Sequence, residues 1–192
     1  MYFLSMKRDI SLKTYPNSYV VLDIETTGFN PVLNDIIELS AIKVVENKVH
    51  SKFSKLIKPY GYVSNHISNL TGITREMLKD APTIDKTILE FNDFCKDSVV
   101  IGHNITFDLK FINTKLKECH KIEFENDYID TLKLAKKFLP QLPNKKLGTI
   151  AEHFNLDTSG MHRGLKDCMV TNTCYQKFLE IENPPAKNLS LF

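Results

Sequence analysis

Two carboxylates set inside an apolar run constrain this chain more than any other feature. Asp23 and Glu25 lie in VVLDIETTG, whose Val-Val-Leu start reads as a buried strand. Successive strand side chains alternate faces, so residues i and i+2 share one face, and both carboxylates aim at one place. Burying an unpaired carboxylate is costly, so such a strand calls for a partner such as a cation. For the pair alone a plainer reading stands, with one acid bonded to backbone amides and the other in solvent. Two further clusters weigh against it: Asp108 closing IGHNITFD, and His162 with Asp167 in HRGLKD.

The remaining chain has the make-up of an ordinary folded domain. Its 192 residues suit one domain with a real core, and 42% hydrophobic with 25% charged residues is a typical globular balance. No apolar stretch approaches a membrane span, and the MYFL start is too short for a signal-peptide core. A cytoplasmic location is expected. Cys95, Cys119, Cys168 and Cys174 form no C-x-x-C pair, which predicts reduced structural thiols. A net charge of +2 is no broad basic footprint of the sort expected for long-tract nucleic-acid binding; it suits an enzyme that grips a few nucleotides at a chain end and equally a chance near-neutral balance, so charge decides nothing here.

Periodicity predicts a three-strand antiparallel meander: Ser18 to Ile24, Asp35 to Val45 and Val49 to Ile57, with a turn at Asn47-Lys48. Thr83 is a candidate N-cap for a helix carrying Ile84, Ile88, Leu89, Phe91 and Phe94 at helical spacing. A short strand from Ser98 to Gly102, a helix from Thr106 to Leu116 and a brief strand at Tyr128-Ile129 follow. Asp130 opens another helix that stops near Pro140, and two more cover Leu147 to Phe154 and Leu165 to Ile181. A meander followed by alternating strands and helices indicates an α/β fold with a mixed sheet. Residues 1–182 form the expected domain, and 183–192 a linker with a short peptide tail.

The clusters D-I-E-T-T-G, H-N-I-T-F-D and H-R-G-L-K-D resemble the three motifs of the DEDDh (DnaQ-like) exonuclease superfamily. Within it they look most like epsilon-type proofreading subunits of bacterial DNA polymerase III and PolC-type exonuclease domains. The likeness runs from about Tyr19 to Leu179 and includes NLTGIT and IDTLKLAKKFLP. His162, five residues before Asp167, assigns the h subclass; a sister class has Tyr where this chain has Arg163. Gly164 departs from the family's usual alanine.

The resemblance implies a ribonuclease H-like fold with a five-stranded mixed sheet flanked by helices. It implies 3′→5′ hydrolysis of DNA to nucleoside 5′-monophosphates with two divalent cations, Mg²⁺ or Mn²⁺. Asp23, Glu25, Asp108 and Asp167 would hold the metals, and His162 would be the general base, a task suited to an imidazole of reference pKa ~6.5. Thr26, Thr27 and Gly28 would contact the nucleotide, although a plain strand-ending turn fits them as well. Leu70 and Phe107 match positions that pack on the terminal base or sugar; core packing is the alternative.

Three partners follow from the same likeness: a single-stranded or frayed DNA 3′ end, a polymerase subunit and a sliding clamp. The clamp would be met by Asn188, Leu189, Ser190, Leu191 and Phe192, a peptide resembling Q-L-S/D-L-F behind a Pro-Pro spacer. A tail folded back on the core is its rival. An RNA-trimming exonuclease, or a non-catalytic binding module on the same fold, are the competing functions. No residue in the sequence reads a 2′-OH.

Overall fold

The computed structural model describes residues 8–184, so the tail peptide Asn188–Phe192 lies outside the described residues. Five strands make one sheet in the order β3-β2-β1-β4-β5. They are β1 Tyr19–Thr26, β2 Ile36–Val45, β3 Lys48–Leu56, β4 Val100–Gly102 and β5 Tyr128–Asp130. β1, β2 and β3 pair antiparallel, whereas β4 pairs parallel with both β1 and β5, giving the expected mixed sheet. The hairpin turn falls at Glu46-Asn47, one residue earlier than the sequence predicts. Both residues take positive φ, 48° and 62°, the geometry that matches the right-handed twist of a two-residue hairpin.

Central strand β1 is covered on both faces, which explains its unbroken Val-Val-Leu start. Val20, Leu22 and Ile24 pack with Phe91 and Cys95 of α3 (Ile84–Cys95) and Phe111 and Ile112 of α4 (Thr106–His120). Tyr19 and Val21 pack instead with Cys174, Tyr175 and Phe178 of α7 (Gly164–Glu182), beside α5 (Thr131–Phe138) and α6 (Leu147–His153). Each fully buried Val, Leu, Ile or Phe contributes about 1.5–3 kcal/mol. Tyr19 Oη donates to Asn172 Oδ1 at 2.9 Å inside this second layer.

Two short helices, α1 (Asn65–Thr71) and α2 (Arg75–Leu78), were not expected from periodicity. Their caps form them locally: Ser64 Oγ accepts from Ile67 N, and Thr74 Oγ1 accepts from Met77 N. Between them Gly72 has φ 70°, the left-handed C-cap position where glycine costs least. Asp130 N-caps α5, as predicted, by accepting from Leu132 N, and the same Oδ1 accepts from Asn104 N. One acid thereby fixes the end of β4 against the start of α5. Among the described residues no helix is long and apolar enough to cross a membrane.

Candidate active site

Strand period and helix placement bring three of the predicted carboxylates together. Asp23 and Glu25 share the β1 face that packs on α7, and Asp167 comes from the first turn of that helix. One oxygen from each lies within 4.8 Å of the others. Asp108 arrives from the opposite face, at the start of α4, and its Oδ1 accepts from Ile24 N at 3.1 Å. It is therefore clamped to the backbone between Asp23 and Glu25, at the strand end nearest the cluster.

The electrostatics are those of acids crowded away from water. Burial first, then the charges of Asp108, Asp167, Glu25 and Glu38, push the Asp23 carboxyl well above its ordinary value. Glu25 is pushed up to about 8, by burial and then by Asp167, Glu38 and Asp108. Asp108 is pushed up to about 8 by burial, against the pull of backbone N–H donors. Asp167 is raised by burial. Its Oδ2 accepts the His162 N–H at 2.9 Å. Its Oδ1 is buried and has no hydrogen-bond partner among the described residues. An orphaned oxygen beside two other carboxylates is an all-oxygen donor set, and it fits a hard divalent cation such as Mg²⁺ or Mn²⁺.

His162 stands at the lip of this cluster with φ 67°, a strained conformation for a non-glycine residue of the sort that gathers at functional sites. It lines, with Asp23, Glu25 and Asp167, one end of a cavity of about 1150 Å³. His103 lines the same cavity as a packed residue. Nδ1 bonds Thr131 Oγ1 at 3.0 Å and Nε2 bonds Lys145 O at 2.8 Å, while burial lowers its pKa to about 4.

The turn after β1 engages its own hydroxyls. Thr26 Oγ1 donates to Gly28 O at 2.7 Å, and Thr27 Oγ1 accepts from Asp35 N at 2.9 Å. A Cβ on Gly28 would meet the Asn34 side chain at 2.7 Å, so glycine keeps this turn closed. Leu70 is exposed on α1, and Phe107 lies between Phe111 and the exposed ring of Phe29, with centroids 5.0 and 6.4 Å away.

Phe29 and Glu38 are two residues that sequence reasoning missed. Glu38 lies directly opposite Glu25 across β1 and β2 and is 2% exposed. Its Oε2 accepts Gly164 N at 3.1 Å, and its Oε1 lies 3.4 Å from the Arg163 guanidinium. The carboxylate thus ties β2 to the start of α7, three residues before Asp167. Its signal was present, because Glu38 sits in I-I-E-L just as Asp23 sits in V-L-D-I. Gly164 has a packing role at the same join. A Cβ there would lie 2.5 Å from Ser40 Oγ, so its absence lets α7 meet β2.

Comparison with known proteins agrees with this arrangement. The RNase_T exonuclease family model matches residues 20–175. The chain is 40% identical to the DNA polymerase III subunit epsilon of Aquifex aeolicus, over 85% of this chain and 81% of that protein. It is 37% identical to the PolC-type DNA polymerase III of Thermotoga maritima, again over 85% of this chain but only 12% of that much longer protein. Among solved structures, exonuclease X in complex with 5′ overhanging duplex DNA superposes with a TM-score of 0.69 at 22% identity, covering 87% of this chain and 94% of that one. Exonuclease I gives 0.75 at 17% identity, over 88% of this chain and 42% of that one. At such identities these structures establish the ribonuclease H-like fold alone. The family match over residues 20–175 and the epsilon likeness make the chain a member of the RNase_T exonuclease family.

Proposed function

We propose that this exonuclease is a metal-dependent 3′→5′ exodeoxyribonuclease of the DEDDh type, releasing nucleoside 5′-monophosphates in proofreading or repair. The observation that carries the reading is the carboxylate cluster, with its buried, partnerless Asp167 Oδ1. Asp23, Glu25 and Asp167 would hold one divalent cation, and Asp23 with Asp108 a second. Bound Mg²⁺ or Mn²⁺ would lower the pKa of a water and offset charge on the attacking and leaving oxygens.

The chain's own residues do the rest. Asp108, fixed to Ile24 N, presents its carboxylate at an unchanging position. His162, exposed at the cavity lip, takes the proton from the nucleophilic water. Leu70 and Phe107, with Phe29 beside them, pack on the terminal base and sugar. Stacking of this kind tolerates any base. Thr26, Thr27 and Gly28 contact the nucleotide from the turn they shape: the Thr27 hydroxyl, which accepts from Asp35 N, keeps its proton to donate, and the Thr26 oxygen keeps lone pairs to accept.

The epsilon and PolC-type relatives support association with a polymerase. The tail peptide Asn188–Phe192 remains the candidate contact for a sliding clamp. Terminally labelled single-stranded DNA, matched and mismatched duplexes and RNA, assayed side by side, test the assignment. The expected result is mononucleotide release from DNA 3′ ends, lost in excess chelator and faster at mismatches, where unstacking costs less of its usual few kcal/mol. Release from 5′ ends, cleavage in chelator or a preference for RNA would overturn it.

A further inference from the structure

The cavity that holds the carboxylates is also lined by lysines. Besides Asp23, Glu25 and Asp167, its lining includes Lys136 on α5 and Lys145 and Lys146 on the segment leading into α6. Four of the lysines in this part of the molecule are occupied. Lys133 pairs with Asp9, Lys137 with Glu182 and Lys166 with Asp157, and Lys145 Nζ donates to Leu142 O. Lys136 and Lys146 are different. Both are exposed, both line the cavity, and among the described residues neither ammonium has a hydrogen-bond or ion-pair partner.

The backbone at Lys146 is held firmly. His103 bonds Lys145 O with one ring nitrogen and Thr131 with the other. Asn144 Oδ1 accepts from both Lys146 N and Thr149 Oγ1. Two exposed cations from separate elements, α5 and the segment before α6, line one cavity without a partner among the described residues, and that arrangement suits an anionic occupant. Glu152 lines the same cavity and is exposed, but it forms no ion pair with either lysine.

We propose that Lys136 and Lys146 bind backbone phosphates of the substrate strand on the 5′ side of the scissile bond. The occupant is a sugar–phosphate chain, held independently of its bases. Charge complementarity argues for it. A polyanion brought toward Asp23, Glu25, Asp108 and Asp167 is repelled by them, and cations in the same cavity offset that repulsion along the strand's path. With a net charge of only +2 over the whole chain, strand attraction rests on local groups such as these, so their loss should lower the salt dependence of strand binding.

The inference rests on the nuclease reading, and its test separates the two. Binding of fluorescein-labelled oligothymidylate to the metal-free full-length protein is followed by anisotropy, for wild type, the Lys136→Glu/Lys146→Glu double variant and a Lys137→Glu control. Each single-strand phosphate contact contributes about 0.7 to the slope of log affinity against log salt, so loss of two lowers that slope by about 1.4. Between 50 and 200 mM salt, wild-type affinity should then fall about sevenfold more than that of the double variant. Lys137→Glu should match wild type.

Hydrolysis is measured alongside on oligothymidylates of increasing length and on thymidine 5′-monophosphate p-nitrophenyl ester, which has no upstream phosphate. Wild-type kcat/KM should rise with chain length, and the rise should be lost in the double variant. An unchanged salt slope, or an unchanged length dependence, overturns the proposal. If no protein hydrolyses anything, the nuclease reading fails, and the anisotropy slopes still decide whether these lysines bind the strand.

Discussion

Each end of the sheet carries a cavity lined with acids, and the two are chemically unlike. At the start of β4 and β5, a cavity of about 630 Å³ is bordered by Asp93, Asp97, Glu123, Glu125 and Asp127. Two of these acids are answered by bases: Asp127 accepts from the Arg8 backbone and guanidinium, and Glu123 pairs with Lys117 at 2.6 Å. At the other end, Asp23, Glu25, Asp108 and Asp167 are pushed together with their pKa values raised, and Glu38 is buried behind them. A surface ion pair is worth little, roughly 0–1 kcal/mol, and can be lost without consequence. A buried carboxylate without a base is kept against its own cost, which is the mark of a functional cluster.

Neutralising an acid at each end breaks or sharpens this contrast. Asp23→Asn or Asp167→Asn should take hydrolysis of a labelled oligonucleotide to the detection limit in saturating Mg²⁺ or Mn²⁺, whereas Asp127→Asn and Glu123→Gln should leave the rate unchanged. Equal losses at both ends would mean that acid count, and not burial, sets function. His162→Ala comes next, with kcat lowered by roughly 10²–10⁴-fold, the usual range for a lost general base. Mn²⁺ binding measured by calorimetry should survive that change, because the carboxylates stay in place.

The clusters also differ in how they couple stability to pH. Glu25 and Asp108, with folded pKa values of about 8, keep protons that the unfolded chain has already released near pH 4. The folded state binds more protons across that window, so stability falls as pH rises from about 4 through 8. The metal-free protein should therefore have a lower Tm at pH 8.5 than at pH 5. Added Mn²⁺ should raise Tm more at the higher pH, where it meets ionised carboxylates. Asp23→Asn should flatten the profile, and Asp127→Asn should leave it alone. A metal-free Tm that climbs over this range would contradict the raised pKa values.

How far the sequence discloses the site depends on which interactions are local. β1 and its alternating carboxylates are legible because period two is a property of the strand alone. The same holds for Asp130 at the head of α5, where a cap acts within its own turn. Glu38 was passed over because its importance comes from the pairing that sets it opposite Glu25 and from the arrival of α7, and both are tertiary. The hydroxyls of Thr26 and Thr27 also hold the turn after β1, a role set by the approach of Asp35 and the path of Gly28 and so without a signal in the local pattern. The positive φ of His162 had no local signal, since neither glycine nor asparagine marks the position. The two free lysines could not be told from their paired neighbours without the partners in view.

The smallest expected effect probes the join between the carboxylate strand pair and α7. Gly164 does not adopt a positive φ, so its backbone would accept any residue, and alanine would improve helix propensity by up to about 1 kcal/mol. Against this, its new Cβ would lie 2.5 Å from Ser40 Oγ and 2.6 Å from Ser40 Cβ. The second contact cannot be relieved by rotating the serine, so α7 must shift, and overpacking of this kind costs about 1–3 kcal/mol. Gly164→Ala should therefore destabilise the protein in urea titration, with the steric cost outweighing the propensity gain. The shift also lengthens the Gly164 N–H bond to Glu38, now 3.1 Å, and moves Asp167, so Mn²⁺ affinity should fall as well. Removing the obstructing Cβ in a Ser40→Gly/Gly164→Ala double variant should recover metal affinity even where stability stays low. If Gly164→Ala alone is more stable and binds Mn²⁺ as tightly as wild type, the start of α7 is not held by β2, and Asp167 owes its position to another contact.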